Sequence, residues 1–116
     1  MTEYEAYPSG VFQSTGSHRE RRKVYECCPA AYQLMRRMSV DCDCAGTSAA
    51  EPTIPDIGIL ASTDLLAVDQ ASCDLVYASA GNHDLVERIE SRRGLHQLEY
   101  MRELKMGSDR YALIEI

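Results

Sequence analysis

The stretch Ile57-Gly58-Ile59-Leu60-Ala61, followed at once by Ser62-Thr63-Asp64, constrains this chain more than any other. A continuous apolar run, unlike an alternating one, predicts a strand covered on both faces. Ser62, Thr63 and Asp64 carry side-chain oxygens suited to the free amides of a helix's first turn, so a helix is expected directly after the strand. That helix should run from about Leu65 to Ser79. At ~100° per residue, Leu65, Val68, Ala71, Ser72, Leu75 and Val76 share one arc and Gln70 and Asp74 lie opposite. Asp69 falls at the edge of the apolar arc with Cys73 one turn later, placing a carboxylate and a thiol on one flank.

Punctuation along the rest of the chain supplies the other elements. Gly81 is placed to stop the first helix, and Asn82 to cap a second from His83 to about Arg92, with Leu85, Val86 and Ile89 inward. A third, from Leu95 to Met106, would present Leu98, Met101 and Leu104 and end at Gly107. Arg110 to Ile116 reads as a final strand. Cys42 to Pro55 is rich in small and turn-forming residues and predicts an irregular loop. Upstream, Val24 and Tyr25 suggest a short strand, and Ala30 to Met38 one or two helical turns behind Pro29. The first 20 residues show no sustained periodicity. The expected fold is α/β: a single small layered domain with a buried strand-turn-helix unit, flanking helices and a C-terminal strand. Residues 1–22 would form a loose N-terminal arm and 23–116 the domain. With 116 residues there is room for one modest core.

Charge narrows the function. The net charge is −6, and all of the excess lies between Asp41 and Asp84, where Asp41, Asp43, Glu51, Asp56, Asp64, Asp69, Asp74 and Asp84 stand without a single Lys or Arg. Such a chain is not a general nucleic-acid binder, which must present cations to phosphates. Its acids must be solvated, paired with distant cations or neutralised by a bound one. The basic cluster Arg19, Arg21, Arg22 and Lys23 reads as a solvated face or as a counterweight to that stretch. No apolar run approaches the ~20 residues that span a bilayer, and Met1 to Ser9 lacks the pattern of a signal peptide, so a cytoplasmic protein without membrane contact is expected.

The five cysteines are Cys27, Cys28, Cys42, Cys44 and Cys73, an odd count that does not suggest a disulfide framework. Asp41-Cys42-Asp43-Cys44 is the sharpest local motif, because thiols two residues apart can converge on one soft cation. Two thiolates leave a site incomplete. Cys73, Cys27, Cys28, His83, a carboxylate such as Asp69, or another chain would have to finish it, and inert reduced thiols or thiol redox chemistry are the competing readings. Asp41, Asp43, Asp56, Ser62 and Asp64 are the candidate binding residues around the loop and the strand-to-helix turn, where α/β sheets gather ligands. At that turn, however, plain helix capping by Asp64 competes with a ligand role. No nucleophile, base and oxyanion motif occurs together, so an enzyme is the least favoured class.

Asp41-Cys42-Asp43-Cys44, then Ile54-Pro55-Asp56-Ile57-Gly58-Ile59-Leu60-Ala61-Ser62, then Ala67-Val68-Asp69-Gln70-Ala71-Ser72, resemble in order and spacing the domain-of-unknown-function family numbered 362. The ending Gln97-Leu98-Glu99-Tyr100, Gly107-Ser108 and Tyr111 to Ile116 is similar too, whereas residues 5 to 39 match poorly and Leu65-Leu66 replaces the family's usual Pro-Val. Many members carry a ferredoxin module with two four-iron clusters. The resemblance therefore implies an accessory or remnant domain of an iron-sulfur-associated protein; the thiol spacing adds the expectation of a bound metal or cluster, iron-sulfur or zinc, at Cys42 and Cys44. This chain has no ferredoxin cysteine runs, so an iron-sulfur partner protein or a truncated gene is implied as well. The alternative is a non-catalytic interaction module, either a homo-oligomer or docked on a partner.

Overall fold

A computed structural model of the chain describes residues 9–14, 31–35, 38–41 and 43–115. Four strands form one mixed sheet in the order β2-β3-β1-β4, with β1 at Ser9–Ser14, β2 at Ala31–Met35, β3 at Gly58–Ser62 and β4 at Tyr111–Glu115. β3 runs antiparallel to both its neighbours, pairing Leu60 with Gln33 on one side and with Gln13 on the other. β4 lies parallel to β1, with Leu113 beside Val11. Three helices follow β3: α1 at Leu65–Ala78, α2 at His83–Ser91 and α3 at His96–Glu103. This is the α/β layer expected, and no described helix is long and apolar enough to cross a membrane.

The strand-turn-helix unit forms as its sequence dictates. All five residues of β3 are buried. α1 buries Leu66, Ala67, Val68, Ala71 and Val76, and Val11, Met35, Leu60, Val68 and Ala71 belong to one apolar cluster between sheet and helix. Leu65, assigned to the apolar arc, is instead 50% exposed, because the buried face of α1 is centred on Leu66 to Val68. Removing a side chain such as Leu60 from water contributes ~2 kcal/mol before cavity effects.

Two upstream expectations fail. Ser9–Ser14, placed in the loose arm, is a strand hydrogen-bonded on both sides, with Val11 and Gln13 buried. Ala31–Met35, expected to be helical, pairs along its whole length with β3. Ala, Gln, Leu and Met are good helix formers, and here the partner strand overrides that preference. Val24, Tyr25 and most of the expected arm lie outside the described residues. The irregular loop contains a 3-10 segment at Asp43–Ser48, broken at Gly46.

Helix ends explain the remaining differences. α3 stops at Glu103, so Leu104, expected to face inward, becomes the C-cap and is 55% exposed. Asn82 makes no capping bond to α2. Its amide donates instead to the carbonyls of Val76 (3.0 Å) and Tyr77 (2.9 Å) at the end of α1. Gly81 allows this close turn: its φ is 68° and a Cβ there would collide with the Thr53 carbonyl, while Thr53 Oγ1 donates to Gly81 O at 2.7 Å.

Candidate functional site

Ser62 and Asp64 sit where the apolar strand turns into α1, and both are engaged with backbone. Ser62 is fully buried. Its hydroxyl donates to Gly10 O at 2.8 Å and accepts from Asp64 N at 3.1 Å. Asp64 caps α1 by accepting from Ala67 N at 3.1 Å, and its second oxygen accepts from Ser108 N at 2.9 Å. Gly107 makes that approach possible, since a Cβ there would meet the Asp64 carboxylate and its φ is 136°. One carboxylate thus ties the start of α1 to the entry of β4. Both residues hold the fold together, and their oxygens are occupied in doing so.

The flank of α1 carries a second polar set. Gln33 on β2 donates to Asp69 Oδ1 at 2.6 Å. Asp74 accepts from Gln70 at 3.1 Å and from the Tyr111 hydroxyl on β4 at 2.7 Å. Burial, then the Asp74 hydrogen bond and charge, push the Tyr111 hydroxyl up to about 12. Between these carboxylates sits Cys73, whose thiol is pushed up by burial and then by Asp69 and Asp74. A thiol held in its protonated form is a poor nucleophile and a poor ligand.

The remaining candidates lie nearer the loop. Asp41 accepts from Ala50 N at 2.7 Å, closing the segment that contains the paired thiols. Asp56 is exposed ahead of β3. Cys42, and the side chains of Asp43 and Cys44, lie outside the described residues. Cys73 is thus the one thiol among the described side chains, and zinc or a four-iron cluster wants about four donors. Of the four residues expected to hold a metal, Asp69 and Cys73 are thus the two whose side chains are described. Ligand atoms do gather within 4.8 Å at His83, Asp84 and Glu87, all exposed on the first turns of α2.

Two features were missed by sequence reasoning. β4 pairs with β1 on one side and with no strand on the other among the described residues. Its Leu113 and Ile114, on opposite faces of the sheet, are 41% and 39% exposed. Continuous apolarity in this strand resembled that of a core strand, and nothing local marks it as an edge. The other feature is a groove of about 420 Å³ at the α2–α3 turn, lined by Arg92, Arg93, Gly94, His96, Gln97 and Tyr100.

A family model described as a domain of unknown function (DUF362) matches residues 12–74. The match takes in the second half of β1, all of β2 and β3 and most of α1. It begins inside the stretch that sequence reading had excluded, and it stops before the C-terminal motifs that sequence reading had included. No curated protein and no solved structure matches the chain.

Proposed function

The chain belongs to the DUF362 family, and on that premise we propose that it is a non-catalytic interaction module that docks a second copy of itself along the edge of β4. The observation that carries this reading is the exposure of Leu113 and Ile114 on opposite faces of a strand that forms the sheet's edge among the described residues. Such an edge offers free N–H and C=O groups to another strand, and proteins that keep it unpaired usually guard it with Lys, Pro or a bulge. Tyr111-Ala112-Leu113-Ile114-Glu115 has none of these.

The strand is also self-complementary. An antiparallel two-fold pairing must set residues of equal parity opposite each other, so that paired side chains share a face. Centred on Leu113, it places Leu113 against Leu113 of the second copy, Ala112 against Ile114 and Tyr111 against Glu115. No like charges meet. Centring on Ala112 would set Asp109 against Glu115, and repulsion disfavours it.

Light scattering over a concentration series tests the proposal. The wild-type chain should move from monomer to dimer, and Leu113→Lys should remain monomeric while keeping its fold. A wild-type chain that stays monomeric at high concentration contradicts it.

The second reading, an accessory unit of an iron-sulfur-associated protein with metal at Cys42 and Cys44, draws on the Asp41 to Ala50 bond that closes the thiol-bearing loop. Elemental analysis and an ultraviolet-visible spectrum after anaerobic purification separate a cluster, zinc and no metal. Metal-free protein would remove this reading and leave the first intact.

A further inference from the structure

We propose that Asp64 is the positioning residue of the β4 docking edge: by holding Ser108 it fixes the register in which β4 meets a second copy, and so couples association to the start of α1. The inference rests on the dimer reading above and concerns what sets the strength of that dimer.

β4 has little apolar burial of its own to place it. Four of its five residues are exposed, and Tyr111 is the one packed against the core cluster. Its pairing with β1 sets Tyr111 beside Ser9 and Glu115 beside Gln13. A backbone ladder repeats every two residues, so a slip of two would satisfy it nearly as well, and a slip of one would turn Leu113 to the other face. Side chains must therefore choose among the registers.

The choice is made where the strand begins. Asp64 stands at the start of α1, directly after the fully buried β3, so its place in the fold is set by the core. One carboxylate oxygen accepts from Ala67 N at 3.1 Å and the other from Ser108 N at 2.9 Å. Ser108 passes that position on. Its hydroxyl accepts from Arg110 N and donates to Arg110 O, each at 3.1 Å, closing the turn directly before Tyr111. Gly107 is the matching feature on the other side: its φ is 136°, and a Cβ there would collide with the Asp64 carboxylate and crowd Leu66. Any side chain at this position would push the entry of β4 off its anchor. The neighbouring Arg102–Asp109 pair is exposed, and such surface pairs contribute little.

Register matters to the second copy because two-fold pairing within one sheet keeps the faces of both copies aligned and sets both α1 helices on the same side. Each residue of slip moves the edge by about 3.3 Å along β1, and the two helical layers shift past one another accordingly. An entry already held in one place also reduces the ordering that association requires.

Sedimentation of the full chain over a concentration series, with circular dichroism and thermal melts, tests the coupling. Asp64→Ser keeps a hydroxyl that caps α1 but lacks the second acceptor for Ser108 N. Gly107→Ala attacks the same tie from the other side with Asp64 in place. Each variant should stay folded and associate roughly tenfold more weakly, since both copies carry the change. The double variant should be no weaker than the weaker single, because both substitutions cut one tie. A monomeric wild-type chain would overturn the dimer reading itself. A wild-type dimer whose folded variants associate as tightly, or whose losses add in the double variant, would overturn this inference alone. Loss of folding in both variants would overturn it too, since the carboxylate would then hold the whole domain rather than its edge.

Discussion

β3 and β4 belong to one sheet and read alike in sequence, yet one is buried at all five positions and the other is exposed at four of five. The difference is one of place. β3 has a strand on each side and α1 against it, whereas β4, among the described residues, closes the sheet and has only β1 for a neighbour. Apolar composition therefore does not by itself distinguish a core strand from a docking strand; the number of partners does.

The comparison is broken most sharply by truncating the two leucines. Leu60→Ala should cost about 2–5 kcal/mol in urea denaturation, since the cavity lies in a fully packed site. Leu113→Ala should cost about 0.5 kcal/mol or less in the monomer and weaken association instead. Equal losses would mean that β4 is as much core as β3.

Next in size is the carboxylate that links the two strands' surroundings. Asp64→Ala removes the cap on Ala67 N and leaves Ser108 N without its partner. A loss of about 1–3 kcal/mol is expected, with thermal melts and amide exchange showing the entry of β4 loosened before β3. A silent variant would mean that β4 is positioned by β1 alone.

A smaller effect comes from Tyr111→Phe, which deletes the bond to Asp74 and should cost about 1 kcal/mol. Its pH dependence is the sharper readout. The native state holds the Tyr111 proton up to about 12, against an ordinary value near 10 in the unfolded chain. The associated stability is complete below about pH 10 and is lost as pH rises through about 12. The phenylalanine variant should lack that part of the decline.

Smallest of all is the expected behaviour of Cys73. Burial, Asp69 and Asp74 keep its thiol protonated, so alkylation at neutral pH should be slower in the native than in the denatured chain. Fast native alkylation would mean that the α1 flank is open.

The strand-turn-helix unit was legible because each of its signals is local: an apolar run, then capping oxygens, then helical periodicity. β1 and β2 were not, since nothing within Ser9–Ser14 or Ala31–Met35 announces a partner more than 20 residues away in sequence. The same holds for the candidate residues. Ser62 and Asp64 were placed correctly at a helix start, yet the bond from Ser108 to Asp64, the Gln33–Asp69 pair and the Tyr111–Asp74 pair each span long sequence separations and arise only once the sheet is formed. Capping chemistry and ligand chemistry use the same oxygens, and here geometry assigns those of Ser62 and Asp64 to the backbone.

Hydrogen exchange read residue by residue, at dilute and at concentrated protein, tests the role of β4 most directly. The outward amides of Tyr111–Glu115 should exchange quickly when dilute and become protected as the chain associates, while β3 stays protected throughout. Concentration-dependent protection located elsewhere, with β4 unchanged, would contradict the account.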